Sequence, residues 1–427
     1  MTVTLEAIAD PENLMKAAKR VVGNKGAAGV DRMSVHQLMD YMQANVGSLS
    51  ASLLSGKYRP QPVKRVWIPK DNGKMRGLGV PTVIDRVVQQ AITDVLSLEY
   101  EPTFSDRSYG FRPKRSTHMA LLKAKELANA GYTWTVETDL AKFFDTVPHQ
   151  RLIGKLSQRI RDGRVISLIH RIMRAEVSDK GELTPTTMGV PQGGPLSPLL
   201  ANIYLDELDK VLEGRGHQIV RYADDMMVLC KSRRSAQRTL EGIIKYAEKT
   251  MKLTVNKEKS GVFKVNYWKV KFLGHGFYMH QKTKEIVLTM HRKARTKLKA
   301  EVKEILKRNR SGSIDEVKAN LKTLLKGKMD YFRLTREASW MKDFDGWMRR
   351  RIRQLIWKSW KRPATRFRYL GKLGVKGRNQ CLAYTRKGYW RTAASPTLNA
   401  ALSDARLERR GWTFLCSSYK QGTLFQM

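Results

Sequence analysis

Gln218-Ile219-Val220-Arg221-Tyr222-Ala223-Asp224-Asp225-Met226-Met227-Val228-Leu229-Cys230 sets two largely apolar runs, 218–221 and 226–230, on either side of Tyr222-Ala223-Asp224-Asp225. The pattern reads as a strand, a tight turn carrying two carboxylates, and a second strand. Adjacent residues alternate across a pleat, so at the hairpin tip one aspartate points toward a metal site while the other supports it or reaches a second ion. Aspartate also favours turns for local hydrogen-bonding reasons, so the pair takes its meaning from what accompanies it. Residues 132–140 are rich in β-branched and aromatic side chains and read as a strand ending at Asp139, expected beside the hairpin. Carboxylates select hard cations such as Mg²⁺. Asp139 and Asp224 would bridge a pair of such ions about 4 Å apart, and no His-rich or Cys-rich cluster offers a zinc alternative.

Working outward, residues 12–22 form an amphipathic helix, broken by the glycine-rich loop Gly23 to Asp31, which lacks the spacing of an ATP-binding P-loop. Val63 to Lys70 and Gly77 to Pro81 flank the turn Asp71-Asn72-Gly73 and predict a β-hairpin with Lys70, Lys74 and Arg76 near its tip, where they could protect an edge or grip a triphosphate. Helices are expected over 84–100 and about 117–130, with the loop Ser108-Tyr109-Gly110-Phe111-Arg112-Pro113 between them. Pro191 to Pro198 is a turn opening a helix over 199–212. After the Asp-Asp hairpin come a helix over about 235–251 and short strands around 253–255 and 271–277. This order suits a half-open antiparallel sheet with helices on one face.

Beyond residue 289 the character shifts to basic helices. Leu298, Val302, Ile305 and Leu306 form one apolar stripe, Ile314, Val317, Leu321, Leu324 and Leu325 a second, with Ser313 and Glu316 spaced as a capping box. Trp340, Phe344, Trp347, Met348, Ile352 and Leu355 form a third. Lys297, Lys303, Lys307, Arg349, Arg350 and Arg353 fall on the opposite faces, a layout for a three-helix bundle laid along a phosphate backbone. After Lys361-Arg362-Pro363 a basic tail with interspersed aromatics reads as a small appended domain.

Charge supports the nucleic-acid reading. The 427 residues carry 80 Lys and Arg against 39 Asp and Glu, a formal net charge of +41, well beyond what solubility requires and pointing to a polyanionic partner. No apolar run approaches the roughly 18–20 residues that span a bilayer, and the start lacks a basic region followed by an apolar stretch, so neither a membrane role nor a secretory signal is expected. Cys230, Cys381 and Cys416 are few, odd in number and widely spaced, matching neither a disulfide framework nor a zinc cluster. A cytoplasmic protein, in a bacterium associated with the nucleoid, or one of an organellar matrix, is the expectation.

Thr138-Asp139-Leu140-Ala141-Lys142-Phe143-Phe144-Asp145, the Pro191 to Pro198 turn and Tyr222 to Asp225 together resemble the reverse transcriptases encoded by group II introns. The resemblance takes in the Gly23 to Asp31 loop, the Ile68 to Pro81 hairpin, Ser108 to Pro113 and Phe272-Leu273-Gly274-His275-Gly276-Phe277. It covers about residues 20–290 with specific motifs and the remainder less specifically. It implies an α+β right-hand polymerase fold: an N-terminal extension (1–60), fingers (61–135), an antiparallel-sheet palm (136–288), a helical thumb or maturase domain (289–362) and a small basic DNA-binding domain (363–427).

The resemblance further implies that Asp139, Asp224 and Asp225 are the metal acids, holding two Mg²⁺ ions with Mn²⁺ able to substitute, and that the Leu140 carbonyl is a further ligand. Phe144 matches the aromatic gate against a 2′ hydroxyl. Gln192 matches the residue packing on the incoming nucleotide, Lys70 and Arg76 the triphosphate contacts, Leu273 and Gly274 the primer grip, and Lys259 another nucleotide-site lysine. The implied partners are group II intron RNA, an RNA template, a DNA primer, target DNA and deoxynucleoside triphosphates; no oligomeric state is implied. Longer relatives append a nuclease with paired cysteines, and this sequence resembles the short class without one.

Four functions fit this resemblance to different degrees. An RNA-directed DNA polymerase that also promotes splicing leads. A splicing-only maturase would be expected to have lost one of the three acids. A domesticated relative in DNA repair or phage defence remains open at the level of sequence. An RNA polymerase is disfavoured by the bulk of Phe144.

Overall fold

The computed structural model describes residues 3–69, 73, 75–307 and 312–416. The chain divides into two compact units, Met1–Val265 and Asn266–Met427, so the division falls inside the stretch expected as palm (136–288).

The first unit opens with α1 (Leu5–Ala9), α2 (Pro11–Gly23) and α3 (Leu38–Leu54). The Asp10 side chain caps α2, and Pro11 sits in its first turn, where no intrahelical N–H bond is lost. Leu14, Ala17, Ala18 and Val21 recur at helical spacing, and all are buried. The hairpin β1 (Val63–Pro69) and β2 (Met75–Val80) follows as expected, in register Lys64 opposite Val80 to Pro69 opposite Met75. Its tip residues Lys70 and Lys74 lie outside the described residues. α4 (Val83–Tyr100) is capped by the Thr82 hydroxyl, which accepts from the Asp85 N–H at 3.1 Å. Next come α5 (Thr117–Asn129), β3 (Trp134–Thr138), the short α6 (Phe143–Thr146), α7 (His149–Ser157), α8 (Gly163–Met173), and β4 (Val177–Asp179) with β5 (Glu182–Thr184). β4 pairs parallel with β1, giving the sheet order β2-β1-β4-β5.

α9 (Ser197–Gly214), β6 (Gln218–Tyr222), β7 (Asp225–Cys230), α10 (Arg233–Lys245) and β8 (Gly261–Lys264) complete the unit. Its central sheet runs β6-β7-β3-β8 and is antiparallel throughout. Thr138 pairs with Met226, so Asp139 leaves β3 level with the start of β7. The predicted strand at 253–255 is instead an irregular segment making one bridge, Leu140 to Val255. The fourth strand is β8, whose four partly exposed residues gave no periodic signal.

In the second unit β9 (His275–Met279) pairs with β10 (Ile286–Met290), followed by α11 (Arg292–Ile305), α12 (Ile314–Tyr331) and α13 (Ala338–Ser359). The expected capping box is present in part, with the Glu316 N–H donating to the Ser313 hydroxyl at 3.1 Å. Leu298, Val302, Leu321, Leu325, Met348 and Ile352 meet in one core, so the three stripes are the inside of a bundle. α14 (Pro363–Lys372), α15 (Tyr389–Thr392), α16 (Pro396–Ala401) and α17 (Asp404–Arg409) add to the same core. No described helix is long and apolar enough to cross a membrane.

Three of the basic residues assigned to the bundle's outer face need correcting. Arg353 is only 8% exposed and donates to the Leu402 carbonyl (2.9 Å) and Asn399 Oδ1 (2.7 Å), beside Asp404. Arg349 pairs with Asp404 at 3.0 Å and lies over Phe414. Arg350 stacks on Trp390, 3.8 Å from its ring centre, and donates to the Trp390 carbonyl. A guanidinium's flat, weakly hydrated face suits such contacts, and all three join α13 to the elements after it. Lys297, Lys303 and Lys307 are exposed on α11 and just beyond it.

Candidate active site

A cleft of about 970 Å³ in the first unit is lined by Arg76, Asp139, Leu140, Phe144, Asp145, Gln192, Asp224 and Lys259, among others. Six of the residues picked out by sequence therefore share a cavity with Leu140. Asp139 sits one residue beyond β3. Its N–H donates to the Ser260 hydroxyl (3.1 Å), and its carbonyl accepts from the Asn256 N–H (2.8 Å). These two bonds from the 256–260 turn fix the backbone of Asp139 where the strand ends. Its carboxylate is paired with the Lys259 ammonium at 3.2 Å, both side chains being solvent-accessible.

Asp224 reaches the cleft from the β6–β7 turn. Asp225, the first residue of β7, is not among the lining residues. Among the described residues no three His, Cys, Asp or Glu side chains gather as a metal-holding group. The structure thus brings Asp139 and Asp224 to one cavity and leaves Asp225 beside it. The donor set still fits a hard divalent ion. Asp139, Asp224 and the Leu140 carbonyl offer only oxygens, and Asp139 already carries a cation in the Lys259 ammonium.

Phe144 belongs to α6, entered through Lys142 in the left-handed conformation (φ +50°). Its ring packs edge-on against buried Phe143, with centroids 5.3 Å apart, and its partly exposed side borders the cleft. The floor beside it is set by Gly189 and Val190. Gly189 has φ +89°, and a Cβ there would lie 2.7 Å from the Phe144 carbonyl oxygen. The Gly189 N–H donates to the Val147 carbonyl, the Val190 N–H to the Phe144 carbonyl, and buried His149 Nε2 bonds the Gly189 carbonyl at 2.6 Å. Burial lowers the His149 pKa, which keeps the ring neutral and consistent with Nε2–H as donor.

Gln192 is a bridge. Its side-chain oxygen accepts from Arg76 Nε at 2.8 Å, and its amide nitrogen donates to Asp145 Oδ1 at 3.0 Å. The Gly79 N–H donates to the Gln192 carbonyl, tying the 191–198 turn to β2. Arg76 is therefore held over the cleft by a neutral partner and, among the described residues, is paired with no carboxylate. In the second unit, Leu273 (φ +49°) and Gly274 (φ +75°) form the tight turn before β9, and the Leu273 carbonyl accepts from the Tyr331 hydroxyl at 3.0 Å.

Behind the aspartate turn lie residues whose role no sequence motif marks. Ala223 has φ +56°, a left-handed conformation costing a non-glycine residue about 1–2 kcal/mol. Arg221, 1% exposed, donates from Nη1 to the Ala223 carbonyl (2.9 Å) and to Asn202 Oδ1 (2.9 Å), and from Nε and Nη2 to the Asp209 carboxylate. Burial pushes the Asp209 carboxyl upward, with Arg221 as the opposing influence. Asn202 also donates to the Gly110 carbonyl (2.8 Å), while the Tyr109 N–H and Arg221 N–H bond the Arg221 and Arg107 carbonyls. The 107–110 segment so runs as a short strip along β6. One signal was available: Asn202, Asp206 and Asp209 recur at i, i+4 and i+7 on one face of a helix, with a lone arginine in a largely apolar strand.

The Reverse transcriptase (RNA-dependent DNA polymerase) family model matches residues 68–277, and the Group II intron, maturase-specific domain matches 295–374. The chain is 35% identical over 314 residues to Protein YkfC of Escherichia coli (strain K12), covering 64% of this chain and 81% of that protein. It is 40% identical over 206 residues to the Group II intron-encoded protein LtrA of Lactococcus lactis subsp. cremoris, covering 47% of this chain and 33% of LtrA. A third relative is the Putative COX1/OXI3 intron 2 protein of Saccharomyces cerevisiae, 34% identical over 216 residues, 50% of this chain and 25% of that protein. The chain thus spans most of YkfC and a third or less of the two intron proteins.

Proposed function

The chain belongs to the group II intron-encoded reverse transcriptases, RNA-directed DNA polymerases with roles in intron splicing and mobility, and from that membership we propose how its own residues divide the work. Intron RNA and other nucleic acids are its partners. In this reading the RNA template and DNA primer meet at the cleft of the first unit, with fingers over 61–135 and the palm from 136 onward. Asp139 and Asp224 hold two Mg²⁺ ions, replaceable by Mn²⁺. The Leu140 carbonyl is a further ligand, and Asp225 supports the site from beside it. When bound, the ions supply activation of the primer's 3′ hydroxyl and charge stabilisation on the departing pyrophosphate.

Positioning is the protein's own contribution. The 3′ oxygen bonds the α-phosphorus of the deoxynucleotide while the α–β phosphate bond breaks. Arg76, held by Gln192, faces the negative triphosphate, with Lys70 assigned the same role by resemblance. Lys259, which neutralises Asp139 in the protein alone, adds positive charge toward the same phosphates. Phe144 occupies the space a 2′ hydroxyl would need. In the second unit Leu273 and Gly274 grip the primer. Lys297, Lys303 and Lys307 contact RNA across the thumb (289–362), and the tail after 363, with Arg368 and Lys372 lying against Tyr369, contacts target DNA. A cytoplasmic, nucleoid-associated location in a bacterium, or an organellar matrix, fits these partners.

The observation carrying this reading is that Asp139, Asp224, Phe144, Gln192 and Arg76, from four separate stretches of the chain, line one cavity. The test is extension of a DNA primer on an RNA template with Mg²⁺ and deoxynucleotides, run beside intron RNA binding. Asp224→Asn should abolish extension and leave RNA binding nearly intact. Equal loss of both, or extension by the variant at the native rate, would refute the assignment.

A further inference from the structure

The Arg221–Asp209 pair is an unexpected thing to find behind the aspartate turn. Both side chains are 1% exposed. Removing two charges from water costs several kcal/mol each, and buried pairs are often no more stabilising than apolar residues of similar volume. Joining β6 to α9 could be done by leucine and methionine. What those residues could not do is reach the Ala223 carbonyl. Asp209 takes Nε and Nη2 of the guanidinium, which fixes its plane. Nη1 then points at two acceptors, Asn202 Oδ1 and the Ala223 carbonyl. Ala223 is the left-handed residue directly before Asp224. Asn202 extends the same network to the Gly110 carbonyl, and Gly110 lies against the backbone of Tyr222 and Ala223, so the turn is held from both sides.

We propose that Arg221 is a positioning residue for Asp224: oriented by Asp209 and Asn202, it locks the peptide preceding Asp224 and thereby sets the affinity of the cleft for divalent cations. The inference rests on the assignment of Asp224 as a metal acid. It concerns the group behind the ligand, where loss of an orienting hydrogen bond typically weakens metal affinity about 10–100-fold.

Three variants separate positioning from mere support. Arg221→Lys keeps a charge for Asp209 and loses the planar fork. Asn202→Ala removes one support of the guanidinium. The double variant Arg221→Met with Asp209→Leu replaces the pair by apolar volume, so that no charge is left stranded if Arg221→Lys folds poorly. Each is measured for melting temperature, for Mn²⁺ binding by electron paramagnetic resonance, and for the Mg²⁺ concentration giving half-maximal primer extension. We expect folded proteins in which Mn²⁺ binds at least about tenfold more weakly for Arg221→Lys and the double variant, and less so for Asn202→Ala. The Mg²⁺ requirement should rise in parallel, and high Mg²⁺ should restore extension. Native Mn²⁺ affinity and Mg²⁺ requirement in a folded variant would overturn the proposal. So would failure of all three to fold, which would make the network purely structural. If the underlying site assignment is at fault, the failure is different: Asp224→Asn itself would bind Mn²⁺ like the unaltered protein.

Discussion

Gly110→Ala isolates the contact between the 107–110 strip and the aspartate turn. A Cβ at Gly110 would lie 2.9 Å from the Tyr222 carbonyl carbon and 3.2 Å from Ala223 Cα, and closer still to the Ala223 nitrogen. Ordinary contacts there begin at about 3.4 Å, and every atom met is backbone, so no rotamer change relieves the overlap. The strip or the turn must move by roughly 0.5–1 Å, for which overpacking costs about 1–3 kcal/mol. For a unit of this size that is a fall in melting temperature of roughly 2–12 °C. Misplacing a reacting geometry by about 1 Å costs on the order of 10²-fold in rate, so kcat should fall far more than the folded fraction does. The assay is single-nucleotide extension under saturating deoxynucleotide, paired with thermal melting. Gly154→Ala is the control: it lies in α7, with nothing within 4 Å of its Cβ position, and should stabilise by about 0.8–1 kcal/mol at unchanged kcat. Native kcat in Gly110→Ala would refute the idea that this close approach sets the turn.

Phe144→Ala should raise ribonucleotide incorporation relative to deoxynucleotide, because the ring bordering the cleft is removed; unchanged selectivity in paired extension assays would remove the gate. Arg353→Met should lower the melting temperature of the second unit by leaving Asn399 Oδ1 and the Leu402 carbonyl without their donor, at a cost of about 1–3 kcal/mol. Lys303→Glu should instead leave stability unchanged and reduce the slope of RNA affinity against salt by about one; reversed outcomes in melting and filter-binding titrations would restore Arg353 to the RNA face. His149 contributes a stability term with a defined sign. Burial holds its pKa below 6.5, so the unfolded chain takes up the proton first. The term is full above about pH 6.5 and is lost as pH falls through the folded value. Urea midpoints at pH 7.5 and 5.5 should converge for His149→Gln relative to the native protein, and an equal drop in both would contradict it.

Much of the architecture was written locally. The Tyr222 to Asp225 hairpin, α2, α4, α9 and the three apolar stripes of the bundle follow from periodicity and from caps such as Asp10, Thr82 and Ser313, which act within a few residues of themselves. The structure also has α3, α7, α8 and β8, which carry weaker local signals. β8 is four partly exposed residues whose identity as a strand depends on β3 lying alongside.

The sequence alone established the residue types of the site and the order of its motifs, since carboxylates, aromatic rings and a basic excess are chemical facts requiring no coordinates. Tertiary structure decided which of them meet. It put Asp139 with Asp224 at one cleft. It made Gln192 a bridge between Arg76 and Asp145, turned Arg353 inward, and placed Arg221 behind the aspartate turn. A charged side chain reads the same in a sequence whether it meets water, phosphate or a buried carboxylate. Its environment is set by packing between segments far apart in the chain, and that packing is what fixes a charge's energy and its role.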